Sequence, residues 1–130
     1  MDSINIPGVL VGAVVSFLLG GLWYSKILFG ELWHREVGGD PARAHHPARV
    51  FGVSFVLSLL AAGVFAHHLG PGPLLRDAVL QGLLVGAAYA GTSLGINYQF
   101  SGRSTLLLLI DAGYHVCQFG LYGMVLGLWR

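Results

Sequence analysis

Four long runs of apolar residues account for most of the chain. They span residues 4–25, 50–69, 78–100 and 105–129, and each has about the 20 residues that a helix needs to cross the hydrocarbon core of a bilayer. Polar or glycine- and proline-rich segments separate them. The pattern predicts an all-α integral membrane protein, with one domain over residues 1–130 built as a bundle of four transmembrane helices.

The connections between the runs predict how the helices are arranged. Only residues 101–104 separate runs three and four, so these two helices are expected to form a tight antiparallel hairpin. Residues 26–49 mix apolar and charged side chains until Gly38, Gly39 and Pro41 break any helix. This segment is predicted to begin as a short amphipathic piece at the membrane interface and to continue as a loop.

Basic residues are distributed unevenly between the two ends of the predicted bundle. One end carries Arg76 and Arg130, and the other carries Lys26, Arg35, Arg43, Arg49 and Arg103. Lys and Arg are enriched in short cytoplasmic loops. The segment 26–49 is therefore predicted to be cytoplasmic, and both termini are predicted to lie outside.

The composition agrees with a membrane protein and excludes other classes. Charged residues make up 10% of the chain and hydrophobic residues 55%, whereas about 25% of a soluble protein is charged. The formal net charge is +1, and the basic residues are scattered, so no nucleic-acid partner is expected. The lipid bilayer is the predicted environment.

Small residues recur at helical spacing within the runs. In run one Gly8, Gly12, Ser16 and Gly20 follow each other every four residues, and run two repeats the pattern at Ser54, Ser58, Ala62 and Ala66. Further candidates for close helix packing are Gly82, Gly86, Gly91, Gly120 and Gly127. Such ladders let membrane helices approach closely. Because they exceed what one small bundle needs, the chain is also predicted to form a homo-oligomer.

Run four carries a polar stripe. Asp111, His115, Gln118 and Tyr122 have the spacing i, i+4, i+7 and i+11, and Tyr114 lies on the shoulder of the stripe. Residues at these spacings share one helix face, and Asp111 and His115 are close enough to form a hydrogen bond. On run three, Tyr89, Ser93 and Asn97 are expected to meet this stripe.

Two interpretations of the stripe remain open. An ionisable group inside a membrane is costly, and such groups usually mark ion or proton pathways. The pair formed by Asp111 and His115 would then serve as a proton relay or cation site. Alternatively, the polar groups connect neighbouring helices and have only a packing role.

No cofactor, metal site or enzymatic motif is predicted. The six histidines lack the i, i+4 pair of a helical zinc site, and no CxxC motif is present. His115 and the pair His67 and His68 lie at different depths, which argues against haem. A pH sensor in the loop, formed by His34, His45 and His46, is a further alternative. The chain is not expected to be an enzyme.

Two sequence motifs resemble a known family. Leu22-Trp23-Tyr24-Ser25, followed by Leu28-Phe29-Gly30 and Trp33, looks like the first-helix signature of small bacterial membrane proteins catalogued as domain of unknown function 1761. Gly113-Tyr114 and the ending Gly127-Leu128-Trp129-Arg130 are similar to its C-terminal pattern. The resemblance implies four membrane helices in the bacterial inner membrane and no established activity. The family often has proline where this chain has Lys26, so here the first helix is expected to run on toward Phe29.

Two functions from different classes fit these observations. The first is a small proton-linked permease or channel that moves a small solute or protons along the polar stripe. The second is a structural or partner-binding membrane subunit without transport activity, whose glycine-rich faces pack against other helices. Whether the polar groups of other helices surround a hydrated space or a dry seam is expected to distinguish the two functions.

Overall fold

A computed structural model describes residues 4–38 and 45–129, and these residues form only helices and their connections. Helix α1 spans Ile6–Trp23, the short helix α2 spans Gly30–Val37 and α3 spans Pro47–Leu69. The third hydrophobic run forms α4 (Leu75–Val85), a π-helical turn (Gly86–Gly91) and α5 (Thr92–Ser101), which follow each other without a break, and α6 spans Thr105–Leu128. The all-α prediction is confirmed for this part of the chain.

Polar caps begin three of the long helices. The side chain of Asn5 accepts a hydrogen bond from the backbone N–H of Gly8 at 3.0 Å, His46 accepts one from Ala48 at 3.1 Å, and Ser104 accepts one from Leu107 at 3.1 Å. Each cap satisfies an N–H group that has no partner within its helix. These caps set the starts of α1, α3 and α6.

Three helices are long and apolar enough to cross a membrane: Ile6–Trp23, Pro47–Leu69 and Leu75–Ser101. Helix α6 has 24 residues, but the polar stripe lowers its hydropathy, and it is not among the three. Most of the residues of these three helices face outward, since only 28%, 22% and 11% of an apolar 18-residue segment of each helix is buried. The fold is that expected of a helical membrane protein, while the predicted count of four spans is not confirmed.

The helix ends differ from the predicted bounds at several places, and α3 begins at Pro47 rather than at residue 50. Helix α1 ends at Trp23, not near residue 25 or Phe29, because the backbone turns there and the N–H of Phe29 donates to the carbonyl of Trp23 at 3.0 Å. The third hydrophobic helix begins at Leu75 rather than at residue 78, so it includes the charged residues Arg76 and Asp77 in its first turn.

A π-helical turn changes the register of the third hydrophobic helix. The turn covers Gly86–Gly91, and the hydroxyl of Thr92 donates to the carbonyls of Ala88 and Tyr89 at 2.7 and 3.1 Å. A π-turn inserts an extra residue into the α-helical period, so every residue beyond it is offset by one on the inner face. As a result Tyr98 is buried and Asn97 is exposed.

Glycines hold α4 and α6 in backbone contact. A Cβ atom added to Gly82 would lie 2.1 Å from the carbonyl oxygen of Phe119, and one added to Gly123 would lie 2.1 Å from that of Ala78. At Gly86 the nearest atom would be the Cα of Val116, at 2.5 Å. No side chain fits at these distances, so the hairpin requires glycine there.

The small-residue ladder of α1 packs within the same protomer. Gly12 faces Tyr122, Gly20 faces the ring of Tyr114 and Gly8 faces Leu126, so α6 covers this ladder. In run two, Ser58, Ala62 and Ala66 are buried, whereas Ser54 is exposed. The packing role of the ladders is therefore seen inside one chain. The homo-oligomer stays a prediction, and the ladders no longer argue for it.

Alanine substitutions at glycines will separate close packing from helix propensity. We expect Gly82→Ala and Gly123→Ala to destabilise the protein by about 1–3 kcal/mol, because overpacking forces the helices apart. Gly63→Ala and Gly52→Ala are the controls, since nothing lies within 4 Å of an added Cβ at either position. Thermal denaturation in detergent measures the difference in stability between the variants. Equal effects at all four positions would contradict the close backbone contact between α4 and α6.

Candidate functional site

Asp111 lies inside a cage of three aromatic hydrogen-bond donors. Its Oδ1 accepts from the Tyr24 hydroxyl at 2.7 Å and from the Trp33 indole Nε1 at 3.0 Å. Its Oδ2 accepts from the hydroxyl of Tyr98. Only 8% of the residue is exposed. Since all three groups donate, the arrangement suits a carboxylate, which only accepts.

The connection between α1 and α2 supplies Tyr24, directly after α1, and positions Trp33 of α2. Ser25 Oγ donates to the carbonyl of Leu22 at 2.7 Å and accepts from the N–H of Ile27 at 3.3 Å. Gly30 closes the turn, because a Cβ at that position would lie 2.5 Å from the carbonyl oxygen of Tyr24. The turn therefore folds α2 back over Asp111. The motif that carried the family resemblance, from residue 22 to residue 33, thus has a structural role around this carboxylate.

Helices α5 and α6 complete the cage from the other side. The π-helical turn brings Tyr98 onto the inner face of α5, and the guanidinium of Arg103 lies 5.6 Å from the centre of the Tyr98 ring. At the start of α6, Ser104 Oγ donates to Glu36 Oε1 at 2.7 Å, which ties α2 to the same helix. The site thus joins α1, α2, α5 and α6 at one end of the bundle, called the α2 end below.

The predicted hydrogen bond between Asp111 and His115 is wrong. Asp111 is occupied by its three donors, and His115 Nδ1 instead contacts Gln118 Oε1 at 2.6 Å. One helical turn separates the two side chains along α6, and the turn between α1 and α2 supplies closer partners for the carboxylate. The polar stripe therefore divides into two groups with different surroundings.

The second group is a chain of hydrogen bonds that crosses three helices. Gln118 Nε2 donates to the Tyr122 hydroxyl at 2.7 Å. That hydroxyl lies 2.6 Å from Ser58 Oγ on α3, and Ser58 Oγ lies 3.0 Å from Ser16 Oγ on α1. Among the described residues no buried side-chain nitrogen or oxygen lacks a partner. The chain thus fixes α3 to α1 and α6 at mid-bundle.

A cleft of about 780 Å³ lies beside this second group. Its walls are α3 and the π-helical turn, and its floor is formed by α1 and α6. His115 and Gln118 are the polar residues of α6 in the floor, with Tyr114 next to them; Trp33 and His34 of α2 lie at one end. The cleft occupies the half of the bundle nearest α2.

Three predicted members of the site lie elsewhere. Tyr89, Ser93 and Asn97 are exposed, because the π-helical turn rotates them off the inner face, so they do not meet the stripe. Tyr114 does join the core, and its hydroxyl donates to the carbonyl of Ser16 at 3.0 Å. Within the described residues no group of three His, Cys, Asp or Glu side chains could hold a metal ion.

Sequence reasoning missed the three donors of the Asp111 cage. The sequence pattern places Trp33 in the amphipathic segment and gives Tyr24 no partner, although the polar tip of a buried tyrosine or tryptophan usually needs one. Their position within the motif that resembles the known family was the available signal. Tyr98 had no such signal, because the sequence does not show the π-helical turn that brings it to Asp111.

Three apolar helices of membrane-spanning length, packed on a fourth that carries buried polar groups, define a helical protein of membrane type. The chain belongs to the family described as protein of unknown function (DUF1761), whose model matches residues 7–127. This confirms the resemblance seen in the motifs. No curated protein and no solved structure matches the chain.

The cage predicts a specific pattern of destabilisation and rescue. Asp111→Leu leaves three donors without an acceptor, at about 1–3 kcal/mol for each buried group, so a large loss of thermal stability is expected. Adding Tyr24→Phe and Tyr98→Phe to Asp111→Leu removes two of these donors and should restore part of the loss.

Asp111→Asn is the matched control for charge. The amide oxygen can still accept from Trp33, and the amide nitrogen can donate to a tyrosine hydroxyl, so this variant is expected to be much more stable than Asp111→Leu. Thermal denaturation in one detergent compares the stabilities of the wild type, Asp111→Leu, its triple variant with both tyrosine substitutions, and Asp111→Asn. Equal stability of the Leu and Asn variants would mean that the hydrogen bonds of the cage contribute little.

Proposed function

We propose that this protein is a small permease of the bacterial inner membrane, with its four long helices spanning the bilayer and the central cleft holding the solute. The cleft carries the proposal: about 780 Å³ of space beside an imidazole, within a bundle whose buried side-chain nitrogen and oxygen atoms, among the described residues, all have partners. Ligand sites are typically clefts of about 300–1,000 Å³ with a few polar groups in an apolar lining. The proposal includes no catalytic step.

The two halves of the bundle differ in a way that suits transport. The cleft runs along α3 from Val50 to Ala61. The cleft ends at Ala61, beyond which Phe65 lies edge-on against Phe119 with ring centres 5.8 Å apart. His68 and Gln81 then join α3 to α4 by a 3.0 Å hydrogen bond. The arrangement supports a site that is open at the α2 end and closed at the far end.

Asp111 is given a positioning role in this proposal. Its oxygens are occupied by Tyr24, Trp33 and Tyr98, and it is not among the residues that line the cleft. If protons accompany the solute, His115 is the group that carries them, because its ring lies in the floor of the cleft. In the proposed orientation the α2 end faces the cytoplasm and the termini face outward.

One observation favours the structural alternative. The buried polar side chains of the stripe are connected to each other or to the backbone, which is also what a packing seam requires. A structural or partner-binding subunit would need this seam, and it would make no use of movement between α3 and α4. The experiment below therefore tests movement and does not depend on knowing the solute.

Cysteine labelling from both sides of the membrane tests the permease proposal. A single cysteine is introduced at Ala61 in a Cys117→Ser background and treated with a membrane-impermeant maleimide in spheroplasts and in inverted vesicles. A permease that alternates between two open states should be labelled from both sides. Labelling from the α2 side alone, in every variant, would overturn the proposal and favour the structural subunit.

Gln81→Leu sharpens this experiment. It removes the hydrogen bond to His68, which is worth about 0.5–1.5 kcal/mol, so labelling from the far side should rise about two- to tenfold. Gln99→Leu is the matched control, since Gln99 is an exposed residue at the other end of the same hydrophobic run. A similar rise in both variants would show that the closed end is not held by the bond between His68 and Gln81.

A further inference from the structure

We infer that the cleft binds an uncharged aromatic molecule carrying a hydroxyl group, which donates a hydrogen bond to Nε2 of His115. This inference rests on the proposed function, because it names the class of solute for the same cleft. Two independent features support it. One is the direction of the buried hydrogen-bond chain, which determines what His115 presents. The other is the chemistry of the lining.

Two backbone carbonyls set the direction of the hydrogen-bond chain. Ser16 Oγ lies 3.1 Å from the carbonyl oxygen of Ala13, and the Tyr122 hydroxyl lies 3.2 Å from that of Ser58. A carbonyl only accepts, so we assign the Ser16 proton to Ala13, and the Ser58 hydroxyl then donates to Ser16 Oγ at 3.0 Å. The Tyr122 proton is directed to Ser58, where Oγ lies 2.6 Å away and the carbonyl oxygen 3.2 Å away. This direction places a proton in every contact of the chain, whereas the opposite direction leaves the contacts to the two carbonyls without one.

The same direction continues to His115. Because the single hydroxyl proton of Tyr122 is directed to Ser58, Tyr122 accepts from Gln118 Nε2 at 2.7 Å. The amide oxygen of Gln118 therefore faces His115, and Nδ1, at 2.6 Å, must carry the proton between them. In a neutral imidazole the other nitrogen is then an acceptor. While the ring is neutral, the chain thus makes Nε2 of His115 a hydrogen-bond acceptor.

Nε2 of His115 opens onto the cleft. His115 is half-buried and lines the cleft. Its recorded hydrogen bond uses Nδ1, and no enclosed polar side-chain atom without a partner exists among the described residues. Nε2 is therefore reachable from the open space beside the ring. A ligand that meets this atom needs a hydrogen-bond donor.

The rest of the lining disfavours a charged ligand and favours a ligand with an aromatic ring. Histidines and tyrosines are the ionisable residues in the wall, and no Lys, Arg, Asp or Glu contributes to it. A charged ligand would thus find no counter-ion, and burying an unpaired charge is costly. Aromatic rings favour edge-to-face contacts with other rings, and the cleft provides six: Phe17, Tyr24, Trp33, Phe51, Tyr114 and Phe119.

A lipid acyl chain is the competing occupant, and the hydroxyl distinguishes the two. An acyl chain has no donor for Nε2 and gains nothing from His115. Binding is therefore measured in nanodiscs of phosphatidylethanolamine and phosphatidylglycerol with a matched pair of probes, 4-hydroxybiphenyl and biphenyl. Wild-type protein is expected to bind the hydroxylated probe about tenfold more tightly, the difference that one hydrogen bond supplies.

Three variants assign the preference to His115 and the binding to the cleft. His115→Phe keeps an aromatic ring but removes the acceptor, so the affinities for the two probes should become equal. His67→Phe is its control, because His67 is an exposed histidine outside the cleft, and it should bind like wild type. Ala90→Phe fills the cleft without touching the hydrogen-bond chain and should abolish binding of both probes.

The outcomes separate this inference from the proposed function. Equal affinity of wild type for the two probes, with binding lost in Ala90→Phe, would overturn the donor requirement and leave the cleft as a binding site. Binding of neither probe would overturn both the ligand class and the cleft as a solute site. A preference for the hydroxylated probe that survives His115→Phe would assign the acceptor to another residue and contradict the inference.

Discussion

The burial of a carboxylate between helices is the constraint on which the rest of this structure depends. An ionised group inside a bundle must be compensated, because its transfer out of water is costly. Here three neutral donors from α1, α2 and α5 surround Asp111 on α6, so no cation is needed. Helix α2 must stay folded over the end of the bundle for this to hold.

Two features of the third hydrophobic helix make the cage possible. Gly82, Gly86 and Gly123 bring α4 against α6 at backbone contact distance, which fixes the relative height and rotation of the two helices. The π-helical turn then offsets α5 by one residue, so that a tyrosine rather than the preceding asparagine reaches Asp111. π-turns are rare and frequently occur at functional sites. Here the offset lets the Tyr98 hydroxyl donate to the buried carboxylate.

The part of the fold that periodicity determines was predictable from the sequence. Apolar runs of sufficient length predicted the long helices, and the short link at residues 101–104 predicted the hairpin. The four-residue ladders predicted the faces on which the helices pack. Partner identity was not predictable, because it depends on the turn after α1 and on the π-turn, where the helical period is broken. The pairing of Asp111 with His115 was wrong although α6 is uninterrupted, because the segment after α1 supplies closer partners for the carboxylate. Tyr89, Ser93 and Asn97 were misplaced because the prediction assumed an unbroken α-helical period, which the π-helical turn interrupts.

The division of the polar stripe explains how one helix can serve stability and binding at once. The carboxylate is satisfied near the start of α6, where both of its oxygens already accept hydrogen bonds from the protein. Further along α6, His115 is held from one side only, by Gln118. Because the charged group is sealed away from the cleft, the space next to His115 is lined without carboxylates or basic side chains of Lys or Arg. The neutral, largely apolar solute that we propose for the cleft would therefore not compete for the interactions that hold the bundle together.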